Sequence, residues 1–129
     1  MRKSVMPLLV IASMLIFGWT TLAPSQAQSP IGLYGSWTST QYPGSGGAIQ
    51  VTDLTVSGDG VFAGRMFFTG SPCAVWAVFN GRVYGDSTSL AMNVGQCGPV
   101  EILLSRQGNQ WVGTYQSAYP DTGVIRMAQ

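Results

Sequence analysis

The sequence contains no histidine, a single lysine (Lys3), and only 9% charged residues. These absences exclude much chemistry. Without histidine, neither a Ser-His-Asp nor a Cys-His arrangement can be assembled. A histidine-bearing zinc site is excluded for the same reason, and Cys73 and Cys97 alone cannot supply four thiolates. No G-x-x-x-x-G-K occurs, and no G-x-G-x-x-G follows a strand and opens a helix, so the common phosphate cradles are missing. The D-x-D-x-D spacing of a calcium loop is also missing, although such a cation needs six to eight oxygen ligands. No cofactor and no metal are expected.

The N-terminus has the three parts of a secretory signal. Arg2 and Lys3 make it basic, residues 5–17 form an apolar run, and Ser25-Gln26-Ala27 places small residues at −3 and −1 of a cleavage site. The run is about a dozen residues, short of the ~20 that span a bilayer as a helix. Residues 1–27 are therefore expected to be a signal peptide and residues 28–129 a single exported domain, periplasmic or extracellular. The alternative is an uncleaved N-terminal anchor. With no cysteine near the cut and no second long apolar run, no lipid anchor and no membrane association are expected after cleavage.

Beyond residue 27, four arginines face five acids, leaving a net charge of −1. Scattered arginines at near-neutral charge make no footprint for nucleic acid. The two cysteines, Cys73 and Cys97, are expected to pair in an oxidising compartment. The bond closes a loop of about 25 residues, worth ~3–4 kcal/mol in the chain-entropy model. Its spacing is unlike C-x-x-C, so the role expected is structural.

What remains is β-strand and turn. Short runs of β-branched and aromatic residues alternate with Gly, Pro, Asn and Asp signals, and no amphipathic helix is evident. Strands are expected at 33–40, 49–56, 61–68, 74–79, 89–94, 100–105, 111–116 and 123–127. Alternation slips in the second, where Ile49 and Val51 share one face but Leu54 and Val56 the other; a β-bulge near Asp53 restores the pattern. Asn80-Gly81 reads as a hairpin turn, with a bend or bulge at Asp86-Ser87. Three segments repeat a bulky residue followed two positions later by Gly: Phe62-Ala63-Gly64, Val83-Tyr84-Gly85 and Trp111-Val112-Gly113. Such glycines allow sharp coiling. The fold class expected is all-β, an eight-stranded antiparallel up-and-down barrel with one disulfide; a β-sandwich is the alternative. Eight strands enclose just enough room for packed side chains or one small ligand.

The five acids, Asp53, Asp59, Asp86, Glu101 and Asp121, read as turn or surface residues, and no enzyme is expected. The aromatic residues carry the positive signal. Trp76, Tyr84, Trp111 and Tyr115 are candidates for lining a ligand-binding lumen, offering apolar area with an N–H or O–H handle. Trp111 and Tyr115, four apart, share one strand face. Trp37 is expected to plug one end of the barrel.

Gly35-Ser36-Trp37 resembles the G-x-W opening of the calycins, the group containing lipocalins and avidins. Asp59-Gly60-Val61-Phe62-Ala63-Gly64 is similar to the D-G-x-x-x-G hairpin of bacterial avidins, and Trp111-Val112-Gly113-Thr114-Tyr115 to their W-S-G-Q-Y strand. The resemblance implies a closed barrel. It does not carry biotin binding across: Ser39 stands where avidins have an asparagine, and residues 123–129 have no counterpart of their W-L-L strand or acidic ligand residue. The chain also lacks the C-terminal helix of lipocalins. Secreted bacterial inhibitors of metalloproteases offer a second resemblance, to small barrels with a G-x-W-like start and one disulfide. By that likeness, residues 28–32 would form a trunk entering a protease, although the first cysteine of that family lies earlier than Cys73. The function expected is small-ligand binding in the lumen; a protein-binding or inhibitory module and a structural envelope protein are the alternatives.

Overall fold

The structure, a computed structural model, describes residues 29–128, so the expected signal peptide and Gln28 lie outside the described residues. Eight strands follow in chain order: β1 (Tyr34–Ser39), β2 (Gly46–Val56), β3 (Val61–Phe68), β4 (Trp76–Tyr84), β5 (Ser87–Asn93), β6 (Pro99–Gln107), β7 (Gln110–Ser117) and β8 (Asp121–Ala128). Each pairs antiparallel with its sequence neighbour, and β1 pairs with β8 to close an up-and-down barrel. Closure settles the choice between barrel and sandwich, and it leaves no strand edge unpaired. A single 3₁₀ turn at Gly95–Cys97 interrupts the strand pattern among the described residues.

Period-2 alternation sets the wall. In β5, Thr88, Leu90 and Met92 point in, while Ser87, Ser89, Ala91 and Asn93 point out. The slip in β2 is repaired as expected. Asp53 adopts φ 55°, and the β2–β3 register shifts between Thr52 and Thr55. Aspartate is one of the few non-glycine residues that visit this left-handed region readily.

One turn falls elsewhere than expected. Asn80 and Gly81 lie inside β4, opposite Ala91 and Leu90 of β5. The chain reverses instead at residues 85–86, where Gly85 has φ 62°. Gly81 serves close packing: a Cβ there would stand 2.8 Å from both Leu90 Cβ and Phe62 Cζ. The Asn-Gly signal is local, and the demands of the barrel wall override it. The Gly of Val83-Tyr84-Gly85 is accordingly a turn residue, whereas Gly64 lies under the Phe79 ring, whose Cζ would be 2.8 Å from an added Cβ.

The two barrel ends differ. At one end the connections are tight, at residues 57–60, 85–86 and 108–109, and the N-terminal segment crosses underneath. Pro30, Ile31 and Gly32 are buried there. Thr88 Oγ1 donates to Pro30 O at 3.3 Å, and Leu33 N–H donates to Ala128 O at 3.0 Å. Ile31, with no exposed surface, is the plug. The expectation of a free trunk at residues 28–32 is thereby corrected: the described part of it is packed into the base. Phe62, Phe79, Met66, Met127 and Trp111 fill this half of the lumen, with Phe62 and Phe79 meeting edge-on at 6.0 Å. At the other end the connections are longer, at residues 40–45, 69–75, 94–98 and 118–120. The expected Cys73–Cys97 disulfide ties two of these loops together across a Cα separation of 5.5 Å.

Candidate functional site

The looped end holds a cavity of ≈230 Å³. Its walls are mostly apolar: Ile49 from β2, Phe68 from β3, Met92 from β5, Ile102 from β6 and Ile125 from β8 all reach it. The disulfide borders it through Cys73, and Tyr42 and Tyr119 frame the mouth, 44% and 50% exposed. Lumen filling is thus divided. Inward residues such as Phe62, Phe79 and Trp111 fill the base, while at the looped end the inward side chains stand as walls around open space.

A polar cluster interrupts the apolar wall. Ser39 ends β1 and is 5% exposed. Its hydroxyl donates to Asp121 Oδ1 at 2.6 Å and accepts from the Tyr42 backbone N–H at 2.9 Å. Tyr115 donates its phenolic hydrogen to Asp121 Oδ2 at 3.1 Å. Burial, followed by the hydrogen bond and charge of Asp121, pushes the Tyr115 hydroxyl up to about 12. Trp37 stands beside this cluster, its ring meeting that of Tyr115 edge-on at 6.1 Å. Its indole N–H donates to Thr69 O at 3.0 Å, linking β1 to the 69–75 loop.

Among the lumen candidates, Tyr115 alone lines the cavity. Trp111 does share its strand face and is buried, but it pairs with Met127 in the filled half, with the Arg106 guanidinium 5.9 Å from its ring centroid. Trp76 and Tyr84 are corrected outright: both face solvent on the outer wall, 46% and 62% exposed. Ala77 and Phe79 point inward on β4, so every even-numbered position there points out. Trp76 packs against Phe67 and lies under the Arg65 guanidinium, 4.8 Å away. Trp37 points inward as expected, but it forms cavity wall, while Ile31 closes the opposite end.

Sequence reasoning missed Ser39 and Asp121 as site residues. Asp121 follows Tyr119-Pro120 and reads as a turn residue, yet it opens β8. The available signal is parity: Asp121 lies two, four and six positions before Gly123, Ile125 and Met127, all buried. The other four acids do take turn or surface positions. Asp59 is fully exposed, and its carboxyl is held below its ordinary value by the Ser57 hydroxyl, which donates to it at 2.6 Å. No group of three or more His, Cys, Asp or Glu side chains suited to a metal occurs among the described residues.

The fold and site together describe a closed eight-stranded antiparallel barrel, half filled, with an apolar cavity containing one carboxylate. The chain matches no protein-family model, no curated protein and no solved structure.

Proposed function

We propose that this chain is an exported, non-catalytic, calycin-like barrel that binds a small molecule in the cavity at its looped end. The observation that carries the reading is the ≈230 Å³ cavity, left open by an otherwise filled barrel and walled mainly by aliphatic and aromatic side chains. Sites of this kind combine a mostly apolar lining with a few convergent polar groups. Here those groups are Tyr115 and Asp121, which line the cavity and are hydrogen-bonded to each other, with the Ser39 hydroxyl holding the carboxylate from behind. The volume lies below the ~300–1,000 Å³ usual for drug-sized ligands, which limits the occupant to a small molecule. A disulfide across the cavity rim suits the oxidising compartment to which the N-terminal signal would direct the chain. The calycin likeness rests on the three short motifs, which fall on β1, the β2–β3 hairpin and β7.

Native mass spectrometry of the protein exported from its own precursor tests the reading. The expected result is a chain beginning at Gln28, two hydrogens light, carrying an adduct lost on activation. Replacing Val100, which lines the cavity, with Trp should abolish the adduct while leaving the disulfide mass intact. An adduct undiminished by that substitution would place the ligand elsewhere and refute the lumen site.

A further inference from the structure

The cavity carries more chemical information than its shape. Among the described residues lining it, Asp121 is the only charged one. Both of its side-chain partners, Ser39 and Tyr115, are neutral hydroxyl donors. A carboxylate presents about four lone-pair directions, and these partners use two. Half-buried beside an apolar space, this group has no counter-charge among the described side chains that line the cavity. None of the four arginines of the described residues lines the cavity: Arg65 and Arg106 lie over Trp76 and Trp111, Arg126 donates to Gln110, and Arg82 is exposed on β4.

The second feature is aromatic. Trp37 and Tyr115 form two adjoining walls next to the carboxylate, their planes 79° apart. Tyr42 and Tyr119 add two more rings at the mouth. Aromatic faces carry negative potential and attract a cation within about 6 Å, more strongly when water is excluded. One half-buried carboxylate beside four rings is therefore matched to a single positive charge on an apolar body. A divalent metal is poorly served, since it needs six to eight oxygens. An anion would meet the Asp121 charge with no lining cation to offset it.

We infer that the ligand is a small organic cation, an amine or quaternary ammonium compound. Its charged nitrogen would lie near Asp121 between Trp37 and Tyr115, and its hydrocarbon portion against Met92, Ile102 and Ile125. This inference rests on the lumen-binding reading and adds the charge of the occupant.

A pair of shape-matched probes tests it. Benzyltrimethylammonium and neopentylbenzene differ only in a central nitrogen cation against a neutral carbon. Binding is followed by tryptophan fluorescence and ligand-observed NMR on the full exported protein at neutral pH. The cation should bind at least ~10-fold more tightly than the neutral isostere, a preference of the size expected for cation–π and charge contacts in a desolvated site. In Asp121→Asn the preference should fall severalfold, to the part the rings alone supply; in Tyr115→Phe, which keeps the ring and the carboxylate, it should persist. Because the ratio is read on the unaltered protein, it stands whether or not Asp121→Asn folds. Equal binding of both probes would overturn the cation inference and leave the lumen reading intact. Binding of neither would overturn both.

Discussion

Tyr115 lies directly opposite Gly123 across the β7–β8 pair, with its ring over the place where a side chain would be: a Cβ on Gly123 would stand 2.7 Å from Tyr115 Cζ. The absent side chain leaves room for the ring, whose phenol reaches Asp121, two residues before the glycine on β8. The added Cβ would also run into the backbone carbonyl oxygen of Thr38 on β1, which cannot swing aside, so Gly123→Ala should cost about 3 kcal/mol or more, the upper end for overpacking. It should also displace the phenol from the carboxylate. Denaturant unfolding gives the first quantity, and ultraviolet titration of Tyr115 reports the second.

The Tyr115 hydroxyl is held up at about 12, against an ordinary value of 10.0. Ultraviolet difference titration should show one tyrosine ionising late, and Tyr115→Phe should remove that step. The sign for stability follows from proton linkage. Between about pH 10 and about pH 12 the unfolded chain has released this proton while the folded chain retains it, so stability falls as pH rises. The contribution is fully present below pH 10. Tyr115→Phe should flatten this part of the stability profile.

Asp121→Ala leaves the buried Ser39 hydroxyl without its acceptor and removes the Tyr115 hydrogen bond. A loss of about 1–3 kcal/mol is expected for such unsatisfied groups. Ser39→Ala should cost less, because Asp121 keeps its bond to Tyr115 and part of its solvent contact. Thermal unfolding of the two variants, compared at one pH, checks the order.

Replacing both Cys73 and Cys97 with serine should lower stability by roughly 3 kcal/mol in the chain-entropy model. The same change frees the 69–75 and 94–98 loops from each other at the cavity rim. Weaker probe binding should accompany it, at temperatures where circular dichroism shows the barrel still folded.

At Asp53 the backbone is left-handed, with φ 55°. Asp53→Val places a β-branched residue there and should destabilise by about 1–2 kcal/mol. Asp53→Gly, free of that penalty, should be close to neutral. If Val is tolerated as well as Gly, the bulge is not held in this conformation in solution.

Much of the barrel can be read locally. Inward and outward faces follow from period-2 spacing, which is why Leu90, Met92 and Val94 are buried and Glu101 is exposed. The bulge at Asp53 shows as a slip in that spacing, and the disulfide follows from two cysteines in a chain whose N-terminal sequence reads as an export signal. The same parity would have moved Trp76 and Tyr84 outward and Asp121 inward, but aromatic character drew attention to the first two and a turn signal masked the third.

Depth along the barrel axis is a different kind of property. Trp111 and Tyr115 share one face of one strand, yet one is sealed in the filled half and the other borders the cavity. Asp121 meets Ser39 across 82 positions of sequence because β8 closes against β1. The residues themselves determined most of the strands, their two faces and the bulge, since these depend on neighbours a few positions apart, and two cysteines allow a single pairing. Which end is plugged, where space remains, and which carboxylate enters it were decided only when the strands closed, because the stagger of all eight pairings sets the height of every side chain at once.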